Sequence, residues 1–387
     1  DRAAVAERTY GVMRSHARLG WWAERLGLPD TPRSRVLIWC ALGDGADAKR
    51  LKDLFDGSKH GPTDLSADEL SAIAKLSGQT LDHPDMPAEI RAECPALYAE
   101  KLQAYFGDAF EAEMAAMLSP ATLDLRVNVF LIDRANAKSS LEKDGVTTSE
   151  STYSPWGLRC DAKAFLSKTK AFHKGFVEIQ DEGSQMIAHA CGPQPGLQVL
   201  DYCAGAGGKT LALAAAMNRK GRIVAMDNDE RRLQKGRERY KKAQLADIIE
   251  VRPLSDDKNK KWLRRQGEKF DIVLCDVPCT GTGTWRRNPD MRWRVYGPSL
   301  EELVAVQAEI LDKVAHAVKP GGKLVYATCS LLPDENEAQV EAFLKRHEGF
   351  EIVPVDPKLG HPFMRLTPLR HGTDGFFTAV LRKKSAD

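Results

Sequence analysis

The chain has 387 residues and a formal net charge of +2, with 43% hydrophobic and 28% charged residues. This length exceeds that of a usual single domain, so two or three domains are expected, and the composition is that of an ordinary soluble globular protein. The small net charge excludes nucleic-acid binding driven by overall charge, so such binding must depend on local basic patches. The apolar segment at residues 36–42 is too short to span a bilayer.

The eight cysteines indicate free thiols. They are scattered without CxxC pairs, which fits a reducing compartment better than a disulfide framework. No Cys/His group has zinc spacing, and the nine histidines show no HExxH pattern, so we expect no metal. Neither a signal peptide nor a transit segment is visible, and the expected location is therefore the cytoplasm.

Residues 1–93 are predicted to form a small helical domain. Their apolar residues recur at mixed three- and four-residue spacings, which is typical of a stripe that faces a core. The members of this stripe are Val5, Tyr10, Val12, Met13, Leu19, Trp22 and Leu26. The segment Ser66-Ala67-Asp68-Glu69 is predicted to open a further helix with a polar cap.

Residues 94–168 are predicted to form a connector, a small subdomain with helices and strands. Helical patterns at 96–105 and 109–118 end at Ser119-Pro120, and residues 123–128 have the pattern of a strand. The polar stretch from 139 to 152 is expected to be loop.

Residues 169–387 are predicted to form an α/β domain, because strands alternate with helices from about residue 171 onward. This alternation indicates a doubly wound, mostly parallel sheet with helices on both faces. The predicted strands are 197–201, 222–227, 248–252, 271–276 and 323–328, and the predicted helices are 209–217, 229–244, 300–318 and 335–347. Lys319-Pro320-Gly321-Gly322 is expected to end the third of these helices, and 375–381 to form a last, partly antiparallel strand.

The turn after the first of these strands, Asp201–Thr210, predicts a nucleoside-type cofactor. Its glycines permit a ligand to approach the following helix N-terminus closely. The turn is neither a GxGxxG motif, because Thr210 holds the sixth place, nor a Walker A loop. Asp227 ends the second strand, where an acid can hydrogen-bond ribose hydroxyls. The cofactor is thus a dinucleotide or S-adenosylmethionine; a purely structural turn with a surface Asp is the alternative.

Two thiols follow the fourth and fifth strands of this domain. Cys279 lies three residues after Asp276, and Cys329 follows the strand at 323–328. If the two strands are neighbours, both thiols lie at the sheet edge where ligands of open α/β sheets bind. A free cysteine is more often an inert small hydrophobe. Two thiols at neighbouring strand ends, one of them beside a carboxylate and both facing a cofactor loop, indicate chemistry instead.

Taken together, these segments resemble the Sun (also called Fmu) family of S-adenosylmethionine-dependent RNA cytosine-5 methyltransferases. The matching stretches are Gln180–Gln185, Asp201–Thr210, Asp227–Leu233, Asp276–Gly283, Arg286–Asp290, Lys319–Ser330, Glu335–Glu337 and Asp374–Phe377. The N-terminal helices resemble, more weakly, the NusB-like RNA-binding domain of the bacterial ribosomal-RNA members. One departure is that the cofactor loop of the family usually has Ala-Pro where this chain has Gly205-Ala206.

The resemblance implies a Rossmann-like class I methyltransferase sheet preceded by a helical NusB-like domain. It also implies transfer of a methyl group to C5 of a cytosine in RNA, with 16S ribosomal RNA as the favoured substrate. In this family the nucleophile that adds to C6 corresponds to Cys329. Asp276 would hydrogen-bond the ring at N3, and Cys279 would assist release of the product. Lys209 or an arginine would supply the positive field that a reactive thiolate requires.

The cofactor residues implied by the resemblance surround the strand ends. The loop from Cys203 to Lys209 would hold the methionine end, Asp227 the ribose with support from Arg232, and Asp256 the adenine, with Asp257 as its close competitor. The full set is Cys203, Ala204, Gly205, Ala206, Gly207, Gly208, Lys209, Asp227, Arg232, Asp256 and Asp276.

A segment beside the catalytic loop mixes cations with aromatic residues, which suits phosphate contacts and stacking on single-stranded RNA. The expected RNA contacts are Arg286, Arg287, Arg292 and Trp293. A surface loop with packed tryptophans is the alternative. The partner is therefore RNA, and the enzyme is expected to be a monomer.

Four other functions fit parts of the pattern. A transfer-RNA cytosine-5 methyltransferase would share all of these motifs. An NAD-linked oxidoreductase would share the sheet but leave the two thiols unexplained. A non-catalytic RNA-binding or ribosome-assembly factor would use mainly the helical domain. A DNA cytosine methylase would use the same chemistry, but its essential thiol would be Cys279.

Overall fold

The structure is a computed structural model that describes residues 2–294 and 296–385. The helices are α1 (Arg2–Arg14), α2 (His16–Leu26), α3 (Pro32–Leu42), α4 (Ala48–Leu54), α5 (Ala67–Lys75), α6 (Ala88–Arg91), α7 (Ala96–Phe106), α8 (Phe110–Ala116), α9 (Arg134–Lys143), α10 (Lys170–His173), α11 (Glu182–Ala190), α12 (Gly208–Ala216), α13 (Glu230–Lys242), α14 (Asp257–Arg264), α15 (Pro289–Arg292), α16 (Leu300–Ala315), α17 (Glu337–Arg346) and α18 (Pro368–His371). The strands are β1 (Asp124–Val127), β2 (Thr148–Glu150), β3 (Gly157–Cys160), β4 (Val177–Ile179), β5 (Gln198–Asp201), β6 (Arg222–Asp227), β7 (Ile249–Pro253), β8 (Phe270–Asp276), β9 (Val318–Thr328), β10 (Phe350–Val353), β11 (Met364–Leu366) and β12 (Phe376–Lys383).

The chain forms two compact units. The first, which we call the helical unit, comprises Asp1–Ser119 and Asn288–Val295. The second, which we call the sheet unit, comprises Pro120–Arg287 and Tyr296–Asp387. The division into domains at 1–93, 94–168 and 169–387 that the sequence suggests stays a prediction.

The core of the helical unit is built from α2, α3 and α5. Leu19, Trp22 and Leu26 of the predicted apolar stripe are buried there, together with Ile38 of α3. Val5, at 66% exposure, and Tyr10, at 45%, lie at the surface. The prediction that they face the core is wrong, since a mixed three- and four-residue spacing does not identify a single face over a long stretch. The predicted cap of α5 is confirmed: the Ser66 hydroxyl accepts from the Glu69 amide, and the Glu69 carboxylate accepts in return from the Ser66 amide.

A small antiparallel sheet with the strand order β2-β3-β1-β4 opens the sheet unit. The prediction of a loop from 139 to 152 is wrong, because α9 and β2 occupy much of that stretch. Asp133 caps α9 by accepting from the Asn136 amide, and α9 buries only two apolar side chains, Ala137 and Leu141. So narrow an apolar face leaves a weak helical signal in a polar sequence.

The large sheet has the strand order β10-β12-β9-β8-β5-β6-β7, and β11 pairs with β12. The strands β7, β6, β5, β8 and β9 run parallel to one another, and β12 runs antiparallel to β9. The predicted α/β class, the mostly parallel sheet and the antiparallel last strand are therefore confirmed. So is the condition that the fourth and fifth predicted strands are neighbours, since Asp276 of β8 is paired with Ala327 of β9.

Both faces of the large sheet are covered. Along β8, Ile272 and Leu274 join the core formed with α11, α12 and α13, whereas Val273 and Cys275 join the core formed with α14, α16 and α17. This alternation explains why β8 is an unbroken apolar run in the sequence, as strands covered on both faces usually are.

The end of α16 differs from the prediction. The helix stops at Ala315, and the segment Lys319-Pro320-Gly321-Gly322 lies inside β9. The pairing of β8 with β9 shifts register between Phe270 and Ile272, so a bulge accommodates the Pro-Gly-Gly sequence in the strand. None of the helices described is long and apolar enough to cross a membrane.

Candidate active site

Two thiols face each other at the carboxyl ends of β8 and β9. The Sγ atoms of Cys279 and Cys329 are 3.4 Å apart, and both residues are partly exposed. The hydrogen bond to the Cys329 sulfur and burial raise the pKa of Cys279 well above its ordinary value. The two thiols are within hydrogen-bond distance of each other, and either one can be the donor. This geometry follows from the strand order, because adjacent parallel strands bring their following loops to one edge.

An ion pair lies beside the thiols. Lys209 Nζ, from the first turn of α12, is 2.6 Å from Asp276 Oδ2 at the end of β8. Burial alone would lower the pKa of Lys209, but the attraction of Asp276, with smaller contributions from Asp201 and Cys329, raises it overall. Lys209 is therefore a charged ammonium group, and its positive field extends to the Cys329 sulfur.

Buried polar side chains hold the backbone of the loop that carries Cys279. Glu335 accepts from the Thr280 amide at 2.9 Å and from the Thr280 hydroxyl at 2.5 Å. The Gln307 amide group donates to the Pro278 carbonyl at 3.0 Å and to Glu335 Oε1 at 2.9 Å. Both peptide groups that flank Cys279 are thus fixed by side chains from other elements.

The loop that carries Cys329 has its own set of buried contacts. The Thr328 hydroxyl donates to Asn336 Oδ1 at 2.6 Å, and Asn336 Nδ2 donates to the Ser330 carbonyl at 2.9 Å. The Ser330 hydroxyl lies 3.2 Å from the hydroxyls of both Thr280 and Thr282. These contacts join the loop of Cys329 to the loop of Cys279.

The glycine-rich loop between β5 and α12 is shaped by Asp227. One oxygen of its carboxylate accepts from the Gly205 amide at 2.7 Å, and the other accepts from the Asp229 amide at 2.8 Å. Gly205 has φ +55°, and a Cβ atom there would overlap the guanidinium of Arg232. The loop therefore forms a narrow cradle between Asp227 and Arg232, and the positive φ of Gly205 favours glycine at this position.

Asp201 lies at the base of this cradle. Burial raises the pKa of its fully buried carboxyl to about 7, against a lowering effect of the Thr210 hydroxyl, which donates to Oδ2 at 2.7 Å. The other oxygen, Oδ1, is buried and has no hydrogen-bond partner. An unsatisfied buried acceptor, a glycine cradle and a strand-end carboxylate together fit a polar nucleoside ligand.

Cys203 and the two candidate adenine contacts, Asp256 and Asp257, have surroundings that differ from those of Asp201 and Asp227. Burial and the neighbouring Cys275 raise the pKa of Cys203 well above its ordinary value, so this thiol is inert. Asp256 caps α14 by accepting from the Lys258 amide at 2.8 Å, and Asp257 forms an ion pair with Lys260. Both aspartates are exposed, and a contact of either one with adenine stays a prediction.

The four predicted RNA contacts divide between the two units, and two of them, Arg286 and Arg292, are buried. Arg286, only 5% exposed, donates to Asp374 at 2.6 Å, and Arg287, whose side chain is 33% exposed, donates to the other oxygen of Asp374. Both lie in the sheet unit. Arg292, 3% exposed, and Trp293 belong to the helical unit, where the Trp293 indole donates to the Met13 carbonyl. Their contact with RNA stays a prediction.

The residues that support the thiols were missed as functional residues in the sequence. Glu335 falls in a motif of the resemblance, but no role followed from it. Gln307 had a detectable signal, since it takes an apolar position in the helical pattern with Leu303, Ile310 and Val314, and all four are buried. A glutamine in a buried helix face requires partners for its amide group. That argument identifies a polar network but not its location.

The fold and the strand-end site define the class of protein. A parallel α/β sheet with a glycine cradle after the first strand, a carboxylate after the second and catalytic-type groups after the fourth and fifth is the arrangement of Rossmann-like S-adenosylmethionine-dependent methyltransferases.

Comparisons with known proteins identify the family. A family model described as 16S rRNA methyltransferase RsmB/F matches residues 188–382, and a model of the ferredoxin-like domain of the same proteins matches residues 94–164. The chain is 31% identical to the ribosomal RNA small subunit methyltransferase B of Vibrio cholerae, over 99% of this chain and 90% of that protein. It is 35% identical to the protein of the same name in Pectobacterium carotovorum, over 99% of this chain and 91% of that one.

A solved structure of a methyltransferase homologue from Pyrococcus horikoshii is also similar, with 30% identity and a TM-score of 0.65 over 76% of this chain and 97% of that one. The chain belongs to the RsmB/F family of 16S rRNA methyltransferases, within the wider Sun family. The resemblance drawn from the motifs is thus confirmed, and S-adenosylmethionine is the cofactor of the family.

Proposed function

We propose that this protein transfers a methyl group from S-adenosylmethionine to C5 of a cytosine in small-subunit ribosomal RNA. The names of the relatives, ribosomal RNA small subunit methyltransferase B, support the RNA substrate. The observation that carries the chemistry is the pair of thiols 3.4 Å apart, with the Lys209–Asp276 ion pair beside them. Such a pair fits an enzyme that must first form and then break a covalent bond to the base.

Cys329 is the proposed nucleophile. C5 of cytosine reacts poorly, and addition of a thiolate to C6 makes C5 electron-rich. The Thr328-Cys329-Ser330 motif shared with the Sun family favours Cys329 over Cys279 for this step. The Lys209 ammonium group is also close enough to Cys329 to interact with it electrostatically, and a neighbouring positive charge is what a nucleophilic thiol requires.

Asp276, with Lys209, is proposed to bind the cytosine ring at N3. Addition at C6 places negative charge on the ring, and a hydrogen-bonded proton at N3 disperses it. The Lys209 ammonium group, which donates to Asp276 Oδ2 at 2.6 Å, places a proton donor at the strand end for this role. Bound S-adenosylmethionine supplies an electrophilic methyl group, and the residues proposed to hold it are the 203–209 loop, Asp227, Arg232 and one of Asp256 and Asp257.

Cys279 is proposed to assist release. After C5 is methylated, a base accepts the proton on C5, and the electron pair of that C–H bond re-forms the C5–C6 double bond and expels the Cys329 thiolate from C6. Since the Cys279 sulfur lies 3.4 Å from the Cys329 sulfur, it is close to the bond that breaks. The chemistry needs access to the face of the ring, so the target base must be unpaired or flipped out of a helix.

The test replaces each thiol in turn. Cys329→Ala should lower methyl transfer to small-subunit ribosomal RNA by roughly a thousandfold or more, the scale expected when a covalent nucleophile is lost. Cys279→Ala should instead trap the protein covalently on RNA. Both are measured with a tritiated methyl donor and a denaturing gel, and bisulfite sequencing of the RNA identifies the cytosine.

A buried thiol of the small sheet gives the matched control. Cys160 is 9% exposed and belongs to β3 of the small sheet, not to the strands of the large sheet that lead to the two thiols. Cys160→Ala should therefore leave methyl transfer intact. An active Cys329→Ala enzyme would contradict the assignment, and a trapped Cys329→Ala enzyme would reverse the two roles. Methylation of transfer RNA alone would contradict the proposed substrate.

A further inference from the structure

A fully buried carboxylate lies beneath the loop of Cys279. Glu335 is 0% exposed and comes from the 3₁₀ turn that precedes α17. Its Oε1 atom accepts from the Thr280 amide and from Gln307 Nε2, each at 2.9 Å, and its Oε2 atom accepts from the Thr280 hydroxyl at 2.5 Å. These donors are all neutral, so burial of this carboxylate depends on hydrogen bonds.

Gln307 of α16 connects this carboxylate to the other side of the loop. Its amide nitrogen also donates to the Pro278 carbonyl at 3.0 Å, and its oxygen lies 3.3 Å from the Tyr326 hydroxyl oxygen. The same Tyr326 hydroxyl donates to the backbone carbonyl of Glu335 at 2.5 Å. Gln307 and Tyr326 are 0% exposed, and Tyr326 lies on β9 three residues before Cys329.

The consequence is a loop fixed on both sides of its thiol. The carbonyl before Cys279 is held by Gln307, and the amide after it is held by Glu335, which leaves the Cys279 side chain little freedom relative to Cys329. Glu335 is in turn fixed to β9, because its backbone carbonyl accepts from the Tyr326 hydroxyl. One hydrogen-bond network therefore holds the loop of Cys279 to the strand that leads to Cys329. A catalytic group held within a few tenths of an ångström depends on such supporting contacts.

We propose that Glu335 is a positioning residue for Cys279 and that, with Gln307, it holds the Cys279 thiol against Cys329 for the release step. The catalytic part of this inference rests on the proposed function. The structural part, that Glu335 holds the loop, does not.

The decisive variant is Glu335→Gln. It keeps the shape of the side chain but replaces one acceptor oxygen by a donor group, which would face either the Thr280 hydroxyl or the Gln307 amide. We expect the first methyl transfer to proceed near the wild-type rate, because Cys329, Lys209 and Asp276 are untouched. Release should slow by roughly ten- to a hundredfold, as expected for a lost hydrogen bond to a charged group, and the covalent RNA adduct should accumulate.

Two measurements separate this inference from the proposed function. In the free protein, hydrogen exchange of the peptide that contains Thr280 should speed up in Glu335→Gln. With RNA, the ratio of the first-turnover rate to the steady-state rate should be higher in Glu335→Gln than in the wild type. The amount of covalent adduct should increase as well. A general loss of stability would lower both rates together and leave this ratio unchanged.

The matched control is Glu182→Gln. Glu182 is also 0% exposed and accepts from two backbone amides, those of Tyr153 and Ser154, but it serves the segment after β2. This variant should leave the ratio unchanged. If Glu335→Gln does not fold, Gln307→Met removes the donor to Pro278 and Glu335 at similar size and should show the same two effects more weakly.

The outcomes are distinct. Unchanged exchange at Thr280 in Glu335→Gln overturns the positioning role. Faster exchange with wild-type release of product overturns its catalytic consequence. If the wild-type protein methylates no RNA, the proposed function fails, and faster exchange in the variant would still establish that Glu335 holds the loop.

Discussion

Environment, and not residue type, separates the eight thiols of this chain. Burial raises the pKa of Cys191 to about 12 and also raises the pKa of Cys275, which makes both unreactive packing residues. Cys279 and Cys329 differ because each reaches the sheet edge and has the other as its neighbour. The motifs identify these two thiols, but the exposure and the nearby charge that make a thiol reactive come from tertiary contacts.

Asp201 provides a prediction about pH. Burial raises the pKa of its carboxyl from 3.8 to about 7. Between these values the native state holds a proton that the unfolded chain has released, so the free energy of unfolding falls as pH rises from about 4 to about 7 and then levels. Asp201→Asn can still accept from the Thr210 hydroxyl, which now donates to Oδ2 of Asp201, and cannot ionise.

We therefore expect the Asp201→Asn variant to gain stability relative to the wild type by a few kcal/mol between pH 4 and pH 8. Urea unfolding without cofactor, at several pH values, measures this difference. Asp181, whose pKa burial and Asp374 raise to about 6, contributes equally to both proteins. Parallel pH profiles for the two proteins would contradict the prediction.

At the scale of elements, the site depends on backbone contacts between three loops. The Gly283 amide donates to the Cys329 carbonyl at 2.9 Å, and the Gly375 amide donates to the Gly283 carbonyl at 2.7 Å. The loop after β8 thus lies between the loop after β9 and the segment that leads into β12. The antiparallel strand β12 therefore supports the active-site edge as well as closing the sheet.

Gly283→Ala should disrupt this contact. A Cβ atom at Gly283 would overlap the backbone carbonyl oxygen of Gly375, and backbone cannot rotate away as a side chain can. We expect a loss of about 3 kcal/mol or more in the free energy of unfolding, at the upper end of the cost of overpacking. The measurement is urea unfolding, with weaker methyl transfer as a second effect.

Gly349→Ala is the matched control, because a Cβ atom at Gly349 meets nothing within 4 Å. Its effect on stability should be small. If Gly283→Ala were as stable as Gly349→Ala, the close approach of the two loops would be refuted.

At the scale of the whole molecule, the sheet unit is built from two separate segments of the chain. Asn288–Val295 leaves it after the catalytic loop and belongs to the helical unit. There the Trp293 indole nitrogen donates to the Met13 carbonyl at 3.2 Å, and its ring lies 4.6 Å from that of His16. Neither unit is therefore a continuous piece of chain.

Trp293→Ala should weaken the helical unit selectively. Removal of a half-buried ring and its hydrogen bond should cost about 2 kcal/mol, less than for a fully buried tryptophan. In hydrogen exchange, the amides of α1 and α2 should lose protection, whereas those of β5, β8 and β9 should keep it. Trp293→Phe, which keeps an aromatic ring but lacks the donor, should show a smaller effect. Equal loss of protection in both units would contradict this division.

Much of the fold and the position of the site could be predicted from the sequence. The strands at the cofactor loop and at Asp276 are short apolar runs ended by glycine or proline, and such punctuation is local. The prediction was wrong at α9, because only two of its apolar residues are buried and its helical pattern is weak. It was also wrong at Pro320, because pairing with β8 keeps this proline inside β9 although proline usually ends a strand.

The sequence by itself determined the family, and it predicted the cofactor loop and the catalytic residues, because each of these motifs consists of residues close together in the chain. Only the tertiary structure decided that Cys279 faces Cys329, that Arg286 is almost fully buried in an ion pair, and that Glu335 holds the loop of Cys279. These facts join residues 50 to 88 positions apart. They depend on which strands become neighbours and on which charges are removed from water, and neither is fixed by local sequence.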